Sequence, residues 1–366
     1  MRAAVFHAPN NITNEEVYYD HNDEKLGGVS LRVNACAVCG YDVRVVRNGH
    51  QKVTPPIILG HEICGQIEKD VLLTRTATDI TTQKVIRAGS RVAVSSVIPC
   101  LNCKYCHNNQ YNLCINLKEI GSNIDGGFAE YVRIPEKILG IGGLVQVPDN
   151  LSDKEATLLE PLACCLNGFS QMGPIITKDS VVAIIGDGPI GLLHMQISKR
   201  LFGAKTIVIG KTPHRIEKAK EMGADVTTLL YCNDNEAYSD EKALKDILDF
   251  TDGLGANVIV VATSNPSAIG FAKKIASRKS TINLFAGMSK GINLSLDPNW
   301  LHYNQITITG SFSSVPNMLQ QAAKLASNRD INLSKMISHS YSLDNIEEAI
   351  LATEEYHGLR VTINDF

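Results

Sequence analysis

The sequence predicts an α/β protein of two domains, one rich in β-strands and one built around a doubly wound parallel sheet. The chain has 366 residues, 44% of them hydrophobic, which is enough for two cores of ordinary size. Residues 1 to about 160 consist of short apolar or alternating runs separated by Gly, Pro and Asn, which is typical of strands. From Val181 onwards, apolar strands alternate with helical patterns, and this alternation is typical of a doubly wound parallel sheet.

Composition and charge exclude several classes of function. The formal net charge is −3, and acidic and basic residues are interspersed, so no nucleic-acid partner is expected. No apolar run approaches the roughly 18–20 residues that span a bilayer, and the first residues lack the apolar core of a signal peptide. We therefore expect a soluble, cytoplasmic protein that binds no membrane and keeps its thiols reduced.

Four cysteines lie close together in the β-rich part, in the segment PCLNCKYCHNNQYNLC. They are Cys100, Cys103, Cys106 and Cys114. Reducing conditions and the very small loops that two disulfides would close both favour a metal. A tetrahedral Zn²⁺ fits this spacing, because C-x2-C turns direct two thiolates at one ion. An iron–sulfur cluster is the alternative, although the fourth cysteine comes late and no Pro follows it. We predict a coordinatively closed, structural zinc.

Further candidate zinc ligands flank this cysteine loop. Cys39 and the pair His61-Glu62 precede it, and Glu160 follows it in an apolar stretch. Each residue has a structural alternative: a small buried thiol, a core histidine, or an acid at a helix start. Their occurrence around one cysteine loop favours a second zinc site.

A glycine turn follows the first strand of the predicted parallel sheet. It reads Gly186-Asp187-Gly188-Pro189-Ile190-Gly191, which matches G-x-G-x-x-G between a strand and a helix. Gly186 would form the tight turn, Gly188 would admit a pyrophosphate, and Gly191 would allow close packing of helix and strand. The helix N-terminus favours an anion. The turn therefore predicts a dinucleotide site.

These motifs together resemble the medium-chain, zinc-containing alcohol and polyol dehydrogenase family, along almost the whole chain. Glu160-Pro161 resembles the sorbitol and threonine dehydrogenase branches. The resemblance implies a GroES-like β-barrel catalytic domain, residues 1–161 and 312–366, and a Rossmann domain for the nicotinamide cofactor, residues 162–311. It also implies one catalytic and one structural zinc per chain, and a homodimer or homotetramer.

The resemblance also assigns roles at the catalytic zinc. Cys39, His61 and Glu160 would be its ligands and leave the fourth position open, as catalytic zinc requires. Glu62 would bind the metal directly or through water and could exchange with Glu160, while Asp42 would orient His61. An alcohol oxygen at the open position would become acidic, because Zn²⁺ stabilises the alkoxide, and hydride would pass to the nicotinamide.

The proton relay departs from the family pattern. Related enzymes usually have Ser or Thr two residues after the catalytic cysteine, and often His three residues further on; here these positions are Tyr41 and Arg44. Tyr41 could carry the proton, or water or Glu62 could replace it. His50 is a candidate outer member of the relay. A polyol or sugar is the favoured substrate, with threonine and simple alcohols as alternatives.

Two other classes of protein are alternatives to a zinc dehydrogenase. A zinc-free quinone or enoyl reductase would typically lack the cysteine loop and the metal ligands, and an inactive relative would not need Cys39, His61 and Glu160. The sequence therefore favours the zinc enzyme.

The end of the second strand bears on cofactor choice. NAD-binding sheets usually carry Asp or Glu there, but this strand ends at Gly210 and is followed by Lys211 and, four residues later, Arg215. These cations would attract a 2′-phosphate, so we predict that NADP(H) is preferred and NAD(H) remains usable. Arg360 resembles a family residue that touches the pyrophosphate.

Overall fold

The computed structural model describes residues 1–21, 27–77, 80–173, 176–230 and 241–366, with backbone alone at 74–77 and 80–83. The chain divides into two compact units, Met1–Cys164 with Ser313–Phe366, and Cys165–Phe312. The sequence-based boundaries lie three residues and one residue earlier. One helix, Leu159–Gln171, runs through the first boundary, so no break in secondary structure marks it.

The first unit begins with short strands and helices, because its apolar runs are brief and interrupted by turn residues. In chain order they are β1 (Arg2–Ala8), β2 (Asn11–Glu16), β3 (Val29–Ala37), α1 (Gly40–Asn48), β4 (Ile57–Ile58), β5 (Glu62–Ile67), β6 (Val71–Ala77), β7 (Ile80–Ile86), β8 (Arg91–Val94), β9 (Val97–Ile98), α2 (Lys104–His107), β10 (Lys118–Glu119), β11 (Tyr131–Ile134), α3 (Glu136–Gly140), β12 (Leu144–Gln146), α4 (Asp153–Thr157) and α5 (Leu159–Gln171).

The second unit is a six-stranded parallel sheet with intervening helices. Its elements are β13 (Val181–Ile185), α6 (Pro189–Phe202), β14 (Lys205–Gly210), α7 (Pro213–Glu221), β15 (Val226–Leu229), α8 (Glu241–Phe250), β16 (Ala256–Val261), α9 (Ser267–Ile275), β17 (Ala276–Leu284), α10 (Pro298–Asn304) and β18 (Thr307–Gly310). The strand order β15-β14-β13-β16-β17-β18 is that of a dinucleotide-binding sheet, whose order reverses beside β13.

The chain then returns to the first unit with α11 (Pro316–Ser327), β19 (Ile337–Ser342), α12 (Ile346–Glu354) and β20 (Arg360–Asp365). In the largest sheet of this unit the order is β12-β8-β5-β3-β20-β19, and β11 also pairs with β3. The last strand, β20, therefore lies inside the sheet, antiparallel to β3 and parallel to β19. The strands of residues 29–146 in this sheet are therefore joined by two strands, β20 and β19, that come after the second unit in the sequence.

The core of the first unit lies under these strands and includes the fully buried side chains of Phe6, Leu31, Ile63 and Phe128. Strands β6 and β7 form a separate two-stranded hairpin, in which Val71 pairs with Ile86. Among the described helices, none is long and apolar enough to cross a membrane.

Candidate active site

The four cysteines of the loop meet in space. Their Sγ atoms all lie within 4.8 Å of one another. Cys103 and Cys106 are 3.5 Å apart at sulfur, and Cys100 and Cys106 are 3.9 Å apart. Four thiolates around a zinc ion at about 2.3 Å are about 3.8 Å apart, whereas a disulfide requires about 2.05 Å. The spacing of the sulfur atoms therefore fits a closed zinc site.

Backbone groups prepare the same cluster for a cation. The backbone N–H groups of Cys106 and Ile115 donate to Cys103 and lower the pKa of its thiol to about 6. The backbone N–H of Cys100 donates to Cys114 Sγ at 3.2 Å. Because zinc binds thiolates, Cys103 is a suitable ligand, whereas burial and the neighbouring thiols raise the pKa of Cys106 to about 12, so Cys106 would ionise only when a cation compensates its charge.

A second group of donor atoms is formed by Cys39, His61 and Glu62, which also lie within 4.8 Å of one another. Cys39 is the N-cap of α1, where its Sγ accepts from the backbone N–H of Tyr41 and its own N–H donates to Asp42 Oδ2 at 2.9 Å. This reciprocal capping box fixes the thiol at the start of the helix.

His61 precedes β5 and is held on both sides. Asp42 is fully buried, and its Oδ1 lies 3.4 Å from His61 Nδ1. Burial alone would lower the pKa of His61, but Asp42 and Cys39 raise it well above the ordinary value. Gly60, with φ +91°, has no room for a side chain, since a Cβ would meet Cys36 Sγ and Phe128 at 2.9 Å.

Glu62 is buried beside Arg360. Arg360 Nη2 donates to Glu62 Oε1 at 2.6 Å, and Nη1 donates to the carbonyl of Val38 at 3.1 Å. Within the described part of the chain, Glu62 Oε2 has no hydrogen-bond partner. Burial raises the pKa of Glu62 to about 7, although Arg360 acts in the opposite direction.

Glu160 lies near this group but its donor atoms are outside the 4.8 Å set. Its Oε1 accepts from Ser96 Oγ at 3.3 Å and from Cys164 Sγ at 3.4 Å. Burial raises the pKa of Glu160, while the charge of His61 lowers it. The assignment of Glu160 as a ligand therefore stays a prediction, and its electrostatic interaction with His61 is consistent with it.

This donor set fits a zinc ion. A thiolate, an imidazole and carboxylates are the ligands of catalytic zinc sites. The orphaned Oε2 of Glu62 is a buried polar atom that costs free energy unless a partner satisfies it. A cation at this position would also compensate the negative charges that burial disfavours.

Tyr41 lies against the edge of His61, with ring centroids 5.7 Å apart. Its hydroxyl is 2.7 Å from Ser122 Oγ and 3.4 Å from His50 Nδ1. Burial raises the pKa of the Tyr41 hydroxyl, although the hydrogen bond to Ser122 opposes this. Tyr41 therefore contacts His61 through its ring and is hydrogen-bonded to His50 and Ser122 through its hydroxyl. Sequence reasoning missed Ser122, because no motif links it to Tyr41.

The glycine turn in the second unit has the backbone geometry of a dinucleotide-binding turn, with a tight bend and a close approach of helix to strand. Gly186 has φ +133°, and a Cβ at Gly191 would lie 1.8 Å from the carbonyl oxygen of Gly186. Gly188 is the N-cap of α6, whose free N–H groups favour an anion. The atom closest to a Cβ placed at Gly188 is Arg215 Nη1, at 3.8 Å. Pro189 and Ile190 begin the helix.

The strand-end residues lie where the sequence predicts. Gly210 ends β14, Lys211 follows it on the surface, and Arg215 is a buried residue of α7. Arg360, by contrast, is in the first unit, where its guanidinium donates to Glu62 and to the carbonyl of Val38. Its predicted contact with a pyrophosphate stays a prediction.

Comparison with known proteins identifies two family domains. A model described as alcohol dehydrogenase GroES-like domain matches residues 25–149, and one described as zinc-binding dehydrogenase matches residues 189–328. An alcohol dehydrogenase of Thermotoga maritima has a similar structure, with TM-score 0.86 and 24% identity over 100% of this chain and 99% of that one. These findings confirm the predicted fold class, a GroES-like domain plus a Rossmann domain.

Two relatives extend the comparison. The D-arabitol-phosphate dehydrogenase of Enterococcus avium is 30% identical over 338 residues, which cover 92% of this chain and 89% of the relative. A protein of Sinorhizobium meliloti 1021 assigned to the zinc-binding dehydrogenases and solved with NADP has TM-score 0.82 and 27% identity, over 99% and 98% of the two chains. The similarity implied by the motifs is therefore confirmed, and the chain belongs to the zinc-containing, NAD(P)-dependent alcohol and polyol dehydrogenase family.

Proposed function

We propose that this enzyme transfers hydride between a secondary alcohol of a polyol or sugar and NAD(P). The observation that carries the proposal is the group of donor atoms from Cys39, His61 and Glu62 within 4.8 Å of one another. Zinc bound there supplies Lewis-acid stabilisation of negative charge on the alcohol oxygen, and the nicotinamide supplies the hydride acceptor.

Residues of the first unit have three different roles: binding the catalytic metal, orienting a ligand, and holding the structural zinc. Cys39, His61 and a carboxylate, Glu160 or Glu62, hold the metal. Asp42 orients His61, which lies 3.4 Å from it at the nearest atoms. The cysteine loop of the predicted structural zinc holds its segment of the chain in a fixed fold.

Tyr41 is the proposed proton carrier. Its hydroxyl hydrogen-bonds Ser122 and approaches His50 Nδ1, so a proton accepted by Tyr41 could be passed on to His50. The relay would then run through a phenol at the position where related enzymes have Ser or Thr.

Support for a polyol or sugar comes from relatives. D-arabitol-phosphate dehydrogenase and a sorbitol dehydrogenase of Halalkalibacterium halodurans, the latter 29% identical over 342 residues, act on polyols by name. The threonine alternative has a relative as well, the L-threonine 3-dehydrogenase of Pyrococcus abyssi at 28% identity. Polyols and threonine both present a secondary hydroxyl, so only an assay can distinguish which of them this enzyme oxidises.

For the cofactor we propose NADP(H) as the preferred form, with NAD(H) usable. The strand-end position 210 is a glycine and so has no acidic side chain, and Lys211 and Arg215 supply positive charge beside the glycine turn. The similar protein of Sinorhizobium meliloti was solved with NADP. We also propose a cytoplasmic homodimer or homotetramer; no disulfide joins the described cysteines, which suits a reducing compartment.

The decisive experiment is a substrate panel of polyols, polyol phosphates, sugars, threonine and simple alcohols, assayed with NAD and NADP. Elemental analysis accompanies it, and Cys39→Ser is the matched inactive control. Two zinc ions per chain and turnover of a polyol or sugar would support the proposal. One zinc without turnover would indicate an inactive relative, and none would indicate a zinc-free reductase.

A further inference from the structure

The end of strand β14 has an unusual neighbour. A Cβ at Gly210 would lie 2.4 Å from both Cβ and Oδ2 of Asp187 and 2.5 Å from its Cγ. Asp187 is the second residue of the glycine turn and is only 7% exposed. Its side chain therefore fills the place of the side chain that Gly210 lacks.

The Asp187 carboxylate is fixed there by the backbone that follows the strand. Its Oδ2 accepts from the N–H of Lys211 at 2.9 Å and from the N–H of Thr212 at 2.7 Å. Charge-assisted hydrogen bonds of this kind are stronger than neutral ones. Asp187 thus joins the glycine turn to the segment that carries Lys211.

Asp187 and an acid at the strand end exclude each other. Any side chain at position 210 would overlap Asp187, because no real Cβ tolerates heavy atoms at 2.4 Å. In NAD-binding sheets the acid at the end of the second strand hydrogen-bonds the ribose hydroxyls. Here a carboxylate reaches the same place from the neighbouring turn.

We propose that Asp187 is the carboxylate that determines cofactor selectivity in this enzyme, by taking the place of the absent strand-end acid. This inference rests on the proposed binding of NAD(P) by the second unit. Asp187 accounts for continued use of NAD(H), because it offers an acceptor to the ribose hydroxyls and repels a 2′-phosphate. Lys211 and Arg215 act in the opposite direction, and the preference is the difference between the two effects.

The test is the substitution Asp187→Asn, which keeps an oxygen acceptor for the two backbone N–H groups and removes the charge. Calorimetric titration measures the affinity for NADP, for NAD, and for adenosine 2′,5′-bisphosphate against adenosine 5′-monophosphate. We expect the NADP-to-NAD affinity ratio to rise at least about fivefold, the effect of one unit charge at about 4 Å in water, and more at the lower effective dielectric constant of a protein surface. The two adenosine fragments should show the same change.

Asp225→Asn is the matched control. Asp225 Oδ2 accepts from the backbone N–H of Thr206 at 2.7 Å, at the other end of the same strand, so it is a similarly bonded carboxylate away from the glycine turn. Its substitution should leave the ratio unchanged. A second test moves the carboxylate from the turn to the strand end: the double variant Asp187→Gly, Gly210→Asp, in which the obstructing Cβ of residue 187 is also removed, should bind NAD in preference to NADP.

An unchanged ratio in Asp187→Asn would overturn the inference. This includes an equal loss of affinity for both cofactors, which would show that Asp187 only anchors the backbone. If the wild-type protein binds neither NAD nor NADP, the proposed function itself fails, and that result is distinct from the other two.

Discussion

Arg360 and Glu62, 298 residues apart in the sequence, form a buried ion pair in which Nη2 and Oε1 are 2.6 Å apart. The pair occupies one oxygen of Glu62 and leaves Oε2 without a partner among the described residues. Arg360 therefore determines which oxygen of the carboxylate is available to a metal beside Cys39 and His61.

Removing the cation of this pair should be costly. Arg360→Gln would leave Glu62 buried without its counter-ion, so the carboxyl must either stay charged and uncompensated or take up a proton, and the free energy of unfolding should fall by up to about 3–5 kcal/mol. Denaturation with urea measures it. The double variant Arg360→Gln, Glu62→Gln should recover much of the loss, because no charge is left alone. A single variant as stable as the wild type would show that the pair carries no such energy.

The catalytic metal should depend on Cys39 and His61. Cys39→Ser or His61→Ala should lose about one zinc per chain and abolish turnover, while circular dichroism shows the fold unchanged. Glu160→Ala should weaken zinc retention less, because Glu62 can replace it. Cys165→Ser, a buried cysteine outside both clusters, should keep both ions. Normal zinc and turnover in Glu160→Ala would show that Glu160 is no ligand.

The cysteine loop should affect stability more than catalysis. Cys103→Ser should lose the other zinc and lower the melting temperature or disrupt assembly, because a structural metal contributes folding free energy. Differential scanning calorimetry with zinc analysis tests this. Full stability with two bound ions and no activity would contradict the structural assignment.

Proton transfer should depend on the Tyr41 hydroxyl. Tyr41→Phe should slow alcohol oxidation most near neutral pH, by an amount within the roughly 10²–10⁴-fold range of general acid–base catalysis. Ser122→Ala, which removes a hydrogen-bond partner of Tyr41, should have a smaller effect in the same direction. The pH dependence of kcat distinguishes the outcomes, since an unchanged profile in Tyr41→Phe would place the relay on water or Glu62.

Lowering the pH should reduce the stability of the first unit through protonation of Glu155. Burial would raise the pKa of this carboxyl, but hydrogen bonds from Ser152 and Arg329 outweigh it and hold the pKa below the usual value. A lowered folded-state pKa stabilises the protein above the unfolded value, about 4.3, and this contribution is lost as pH falls through the folded value. Glu155→Gln should therefore be less stable at pH 7, with a difference that shrinks in acid. A difference independent of pH would contradict this.

Sequence patterns predicted the fold class and the residues of both donor clusters because these signals are local. The cysteine loop spans fifteen residues from Cys100 to Cys114, and the glycine turn lies directly between β13 and α6. Such spacings specify geometry without knowledge of the rest of the fold.

The missed contacts depend on tertiary structure. Ser122 reaches Tyr41 across 81 residues, and Arg360 reaches Glu62 only because β20 pairs with β3. The contact of Asp187 with Gly210 depends on the parallel pairing of β13 with β14. No periodicity or spacing in one sequence records these pairings, so side-chain partners could not be read from it.

The position of β20 inside the sheet has a consequence for synthesis on the ribosome. The second unit is one continuous stretch, residues 165–312, and all of it emerges before β20. Domains usually fold in the order in which they emerge. Here the unit that begins first is completed later, because β3 pairs with β5 and β11 but lacks β20, and Glu62 lacks its counter-ion, until Arg360 and the rest of β20 have been added. All of the cofactor-binding unit is therefore synthesised before the metal-binding unit can be complete, and Glu62 gains its ion-pair partner only after that.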